Sequence, residues 1–267
     1  MNPTDSFHAR RALLGWLACA SACAAFPTLG CAGAAPCPAA NPVPSPMPTP
    51  TQPSAPALPP GLLAEDLKLL ASPGDALPVV QRTAGSRGVL RSLARPLAPA
   101  DDVTVLERRM RASLAATKGV GIAAPQVGLG VRAILVMHGA RPSTPGGVAD
   151  PRIVFYLNPR IVERSDEVTL DYEGCLSVAE VCGMVRRNRS VVVEHGVAGA
   201  KPVRVEATGF DARIFQHEID HLEGVLYIDR VEGGLQPKDK LKELREQLRR
   251  DHPELVTMRE VVRSAVL

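Results

Sequence analysis

The sequence predicts an α+β domain: β-sheets packed around a central helix that carries His217-Glu218-x-x-His221, with a further helix at the C-terminus. Three observations carry this expectation. β-branched stretches gather in the middle of the chain, an apolar stretch with helical spacing follows them, and a charged helical stretch comes last. Strands grouped ahead of a helix favour α+β over alternating βαβ units.

Taken in order, "DDVTVLERRMRASLAATK" (101–118) has Val103, Leu106, Met110 and Leu114 at the spacing of an amphipathic helix. "VRAILVMH" (131–138), "RIVFYLNP" (152–159), "SVVVEHG" (190–196) and "PVRVEATG" (202–209) are β-branched and predict strands. The last of these alternates, with Val203, Val205 and Ala207 on one face. "ARIFQHEIDHLEGVLYID" (212–229) returns to helical spacing, with Ile214, Ile219, Leu222 and Leu226 available for burial. "KDKLKELREQLRR" (238–250) predicts a solvated helix packing on the domain.

The 267 residues divide into three regions. Residues 1–35 resemble a targeting segment. Arg10-Arg11 precedes the uncharged run 12–26, which is too short to span a bilayer comfortably, and "AGA" (32–34) suits a signal peptidase. The arginine pair is similar to a twin-arginine export signal, implying a periplasmic or exported protein. A misassigned start codon would instead leave the protein cytoplasmic. Membrane contact is expected through this segment only. Residues 36–61 form a linker: 11 of the 25 residues from Pro36 to Pro60 are proline, which fixes φ and removes the N–H. Residues 62–267 have the length of one globular domain. A net charge of +3 with 22% charged residues gives no sign of nucleic-acid binding. Four of the six cysteines lie near the N-terminus, leaving Cys175 and Cys182 in the domain, which is not a disulfide framework.

Histidines four apart share a helix face, so His217 and His221 can hold one cation, and Glu218 can take a proton from water beside it. A polar surface helix would also accommodate these residues. It would not explain why they interrupt apolar positions that imply burial, since buried polar groups need partners. Catalytic sites of this kind usually have three protein ligands. Position 227 is tyrosine, so the extended histidine motif of the metzincins is absent. Cys175 in "DYEGCLSV" (171–178) is the better third ligand, with Gly174 allowing a close turn beside it. "KGVGIAAPQVGLG" (118–130) lacks the lysine and glycine spacing of phosphate loops. It suits close backbone approach to an extended ligand, with the Gln126 amide available to an oxyanion.

Together, Gly119-Val120-Gly121-Ile122-Ala123-Ala124-Pro125-Gln126, Glu173-Gly174-Cys175-Leu176-Ser177 and His217 to His221 resemble the motifs of the peptide deformylases. The resemblance covers roughly residues 75 to 232, with "GVLRSLARPL" (88–97) similar to the family's N-terminal segment. It implies a hydrolase that removes the formyl group from N-formylmethionyl peptides or nascent chains, giving formate and a free amine. It implies that Cys175, His217 and His221 hold iron(II), with zinc or nickel accepted, and that Glu218 acts as base and then acid. Gln126 and the Leu176 N–H would stabilise the oxyanion. Val120 and Ile214 would line the methionine pocket, Gly121 would bind the peptide backbone, and Glu173 would pair with Arg187. Ala179 stands where relatives commonly have proline, and Cys182 falls at an expected loop position that is often basic or polar. The alternatives are a zinc metallopeptidase cleaving internal peptide bonds, and a catalytically silent exported relative that binds metal or peptide.

Overall fold

A computed structural model describes residues 59–82, 88–139, 152–256 and 263–265. The targeting segment and most of the linker (residues 1–58) lie outside the described residues. Those described belong to one unit, Ser54–Leu267. Four α-helices are seen among them: α1 (Ala64–Leu70), α2 (Thr104–Thr117), α3 (Gly209–Leu222) and α4 (Leu241–Asp251).

Three antiparallel sheets surround α3. The first has the order β1 (Gly121–Ala123), β2 (Ala133–His138), β3 (Arg152–Leu157). The second runs β10 (Arg263–Ala265), β8 (Val203–Thr208), β7 (Ser190–His195), β4 (Arg160–Arg164). The third runs β5 (Val168–Cys175), β6 (Val178–Asn188), β9 (Val231–Pro237). The α+β class expected from the sequence is the observed one. β1 and β5 are edge strands of their sheets, and both present that edge to one cleft.

The core explains why α3 is central. Alternation in β2 sends Ile134 and Val136 into a cluster with Phe215, Ile219 and Leu222 of α3. Ala133 and Leu135 point the other way, into a cluster with Leu106, Met110 and Leu114 of α2. Val205 and Ala207 of β8 cover α3 from the second sheet. Leu106, Leu135, Phe215 and Leu222 are fully buried, each contributing about 1.5–3 kcal/mol by removal from water. Within α3 every residue except His217 is buried. Its polar side chains must therefore find partners inside the protein.

Two expectations need correction. The helix expected over 212–229 begins at Gly209 and ends at Leu222. Gly224 has φ +69°, and a Cβ there would lie 2.8 Å from the Arg91 carbonyl carbon, so the chain turns away. Leu226 is still buried, but just ahead of a 3₁₀ turn, Tyr227–Arg230. Cys182 lies within β6 and is buried, not in a loop. The charged C-terminal segment forms the expected solvated helix packed on the domain, and Leu241 and Arg245 on it also line the cleft. The long β5–β6 hairpin was not expected from periodicity, since its burial pattern mixes buried charges with half-buried apolar residues. Among the described residues no helix is long and apolar enough to cross a membrane.

Candidate active site

Three elements bring the motif residues together. α3 carries His217, Glu218 and His221, the end of β5 carries Glu173 and Cys175, and β1 with the following 3₁₀ turn (Ala124–Val127) carries Gly121 and Gln126. One donor atom each from Cys175, His217 and His221 lies within 4.8 Å of the others. Cys175 Sγ is 3.2 Å from His221 Nε2. Tetrahedral ligands with bonds of about 2.0–2.3 Å stand about 3.3–3.8 Å apart, so a divalent cation fits this donor set. Burial would raise the Cys175 thiol, but the two imidazoles outweigh it and hold the sulfur well below the usual thiol range. A thiolate is the form that binds metal.

His217 is oriented from behind. Its Nδ1 lies 3.0 Å from Glu173 Oε2, leaving the other ring nitrogen for the cradle. Glu173 is fixed in turn by Arg187, whose Nε and Nη2 each donate at 2.9 Å, and by Arg213 Nη1 at 2.8 Å. Burial pushes the Glu173 carboxyl up, yet the Arg187 guanidinium, the His217 bond and Arg213 together hold it well below the usual range. Asp220 continues the network, accepting from Arg187 at 2.5 Å and from Arg230 at 2.7 and 2.8 Å. Among the described residues His221 Nδ1 is buried without a hydrogen-bond partner, so none of them braces the second histidine as Glu173 braces the first.

Glu218 faces the cleft. Its Oε2 is buried with no hydrogen-bond partner among the described residues, and burial raises its carboxyl to about 7 against the opposing charges of His217 and His221. Gly121 lies close beside it: a Cβ there would stand 2.6 Å from Glu218 Oε1 and 2.9 Å from Ile214 Cγ2. Gln126 is held by the Ala123 N–H, which donates to its Oε1 at 2.8 Å. That leaves Gln126 Nε2 directed at Cys175 Sγ, 3.3 Å away. The preceding arm braces this corner, since Val80 N donates to Gln126 O and Gln81 Nε2 donates to Leu176 O.

Of the sequence-derived residues, Val120, Gly121, Gln126, Glu173, Cys175, Leu176, Ile214, His217 and Glu218 line one cleft of about 350 Å³, while His221 and Arg187 do not line it and reach it through Cys175 and Glu173. The polypeptide deformylase family model matches residues 80–236. The chain belongs to this family. A protein named peptide deformylase 2 from Gloeobacter violaceus is 40% identical over 159 residues, covering 59% of this chain and 81% of that protein. A peptide deformylase from Halothermothrix orenii is 40% identical over 156 residues, covering 58% and 95%. A crystal structure of a class I type b peptide deformylase from Acinetobacter baumannii bound to Met-Ala-Ser superposes with a TM-score of 0.52. It shares 37% identity and covers 58% of this chain and 98% of that one.

Sequence reasoning missed several residues of this site. Arg213 and Asp220 lie inside α3, where helical spacing does not distinguish a buried ion pair from a solvated one. Lys238 and Arg245 come from a segment read as solvent-facing. Ala179 and Cys182, noted as departures, do not line the cleft. His195 closes β7 opposite Val203 and stands outside the site. His138 is buried away from the cleft, between Asp211 at 2.9 Å and Tyr156 at 2.6 Å, and pins the start of α3 to β2.

Proposed function

We propose that this chain is a peptide deformylase, hydrolysing the N-formyl group of formylmethionyl peptides to formate and a free amine. The observation that carries this reading is the Cys175–His217–His221 cradle with Glu218 and Gln126 beside it, in a chain of the deformylase family. Nothing in the family match supports the internal-peptidase or the catalytically silent alternative.

Cys175, His217 and His221 would hold one divalent cation, for which we favour iron(II), with zinc or nickel as substitutes. Such an ion supplies a Lewis acid and makes water acidic enough to lose a proton near neutrality. Glu218 takes the proton of the attacking water and returns it to the departing amine nitrogen as the formyl C–N bond breaks. Its position in the cleft beside the two histidines suits both halves of that transfer. Gln126 Nε2 and the Leu176 N–H donate to the formyl oxygen as it gains charge. Gln126 is suited to this because its own oxygen is already bonded to Ala123. Val120 and Ile214 contact the methionine side chain, and the edge of β1 at Gly121 pairs with the peptide backbone. Glu173 and Arg187 position His217.

Metal-loaded protein should release formate from formyl-Met-Ala-Ser and leave unformylated Met-Ala-Ser intact. Cleavage of an internal peptide bond without formate release would overturn the reading. Glu218→Gln should retain metal and lose about 10²–10⁴-fold in kcat. Cys175→Ala should lose the metal.

We further propose that residues 1–35 direct export and that 36–61 tether the catalytic domain 62–267. The arginine pair ahead of the uncharged run 12–26, and the proline density after it, support this. N-terminal sequencing of the mature protein tests it: a start near residue 35 supports export, and a start within or after the proline-rich stretch overturns it.

A further inference from the structure

The cleft has a third wall that comes from beyond the segment matching the family, and it is cationic. The match ends at residue 236, and Lys238, Leu241 and Arg245 follow it in the turn after β9 and in α4. All three line the same cleft as Cys175 and Glu218. Gly174 lets them close in: a Cβ at that position would lie 3.2 Å from Leu241 Cδ2 and 3.3 Å from Lys238 Cε.

Both cations are held by backbone oxygens of β5. Lys238 Nζ donates to Cys175 O at 2.6 Å, and Arg245 Nε donates to Tyr172 O at 2.8 Å. The Arg245 guanidinium also lies over the Phe210 ring, 5.9 Å from its centroid. An ammonium has three donors and a guanidinium five, so each bond leaves donors for a ligand.

Counter-charge on this wall is incomplete. Asp171 is shared between Arg245 and Arg249, each at 3.7 Å, so one carboxylate faces two guanidiniums. Among the described residues Lys238 forms no ion pair. Glu173 cannot compensate, because Arg187 and Arg213 already saturate it. A pocket for a thioether side chain alone gains nothing from such a wall, whereas a substrate carboxylate would be matched by charge-assisted bonds.

We propose that Lys238 and Arg245 form a carboxylate-reading subsite, which makes this chain selective for N-formyl peptides with a negative charge close behind the formylated residue. The proposal rests on the deformylase reading and names its substrate class. Lys238 bonds the carbonyl of Cys175, itself part of the cradle, and an extended peptide advances about 3.3 Å per residue. The subsite is accordingly assigned to the next two residues, a reach of about 7 Å along an extended chain. The carboxylate can be an acidic side chain or a free C-terminus.

The test uses the metal-loaded full chain and three substrates: the amides of formyl-Met-Ala-Ser and formyl-Met-Asp-Ser, and formyl-Met-Ala-Ser as free acid. One or both carboxylate-bearing peptides should exceed the neutral amide about tenfold in kcat/KM, with the advantage shrinking as salt rises. Preference for the Asp amide assigns the side chain as the source, and preference for the free acid assigns the terminus. Lys238→Met and Arg245→Met should each bring the ratio toward one. Equal kcat/KM for all three substrates on the wild-type protein overturns the subsite and leaves the deformylase reading standing. Failure to cleave any formyl peptide overturns the deformylase reading, and the subsite falls with it.

Discussion

His217 Nδ1 and Glu173 Oε2 stand 3.0 Å apart, and the same carboxylate is clamped by Arg187 and Arg213. A metal-facing imidazole is thereby tied to a buried ion network that reaches Asp220 and Arg230. The network fixes which way the ring points before any ligand arrives.

Glu173→Gln should weaken metal binding about 10–100-fold, because the neutral amide orients the ring less firmly and raises its basicity less. Competition against a chelator of known affinity measures this, and an unchanged affinity would remove Glu173 from its positioning role. Arg187→Met should act chiefly on stability. It leaves Glu173 to Arg213 and His217 and Asp220 to Arg230 alone, both carboxylates largely buried, at a cost of about 1–3 kcal/mol in denaturant unfolding.

The same carboxylate should govern acid stability of the metal-free protein. Glu173 ionises well below 4.5 in the folded chain and near 4.5 when unfolded. Its contribution is fully present above pH 4.5. It is lost as pH falls below that value, because only the unfolded chain then takes up a proton. Urea titrations from neutrality down through that window should show a steeper loss for wild type than for Glu173→Gln. Parallel slopes would count against the depressed ionisation.

The chemistry of this site was more legible in the sequence than its frame. His217, Glu218 and His221 are legible because a helix repeats every 3.6 residues, so spacing alone puts both imidazoles on one face. Cys175 and Gln126 are legible through their motif neighbours. The Glu173–Arg187 pair spans a hairpin, where residues fourteen apart meet only once β5 and β6 are registered. Arg213, Lys238 and Arg245 were not legible. Whether an arginine is a buried clamp or a solvated charge depends on what packs over it, and local sequence does not encode that. Likewise β5 and β6 carry charges on a buried face, which hides the period-two signal that marked β8.

Gly224→Ala should destabilise the fold without touching the chemistry. The residue has φ +69°, and a Cβ would stand 2.8 Å from the Arg91 carbonyl carbon and 2.9 Å from its oxygen. Left-handed strain costs about 1–3 kcal/mol for a residue with a side chain, and the backbone contact adds to it. A lower Tm with the metal stoichiometry of the folded fraction preserved is the expected pair of results. An unchanged Tm would show that the Arg91 segment yields freely.

Gly121→Ala should do the opposite, sparing much of the stability and removing activity. The added carbon would fall 2.6 Å from Glu218 Oε1, a distance at which one of the two must move. β1 cannot readily retreat, because Gly121 pairs with Val136 and β2 is packed on both faces. Glu218 must therefore swing away from the position in which it exchanges protons with water and amine. A displacement of about 1 Å at a reacting group costs about 10²-fold in rate. The metal ligands are not in this contact, so metal content by elemental analysis should stay at the wild-type level while kcat/KM on formyl-Met-Ala-Ser falls. Full activity in Gly121→Ala would show that Glu218 works from another position and would overturn its assignment as the base.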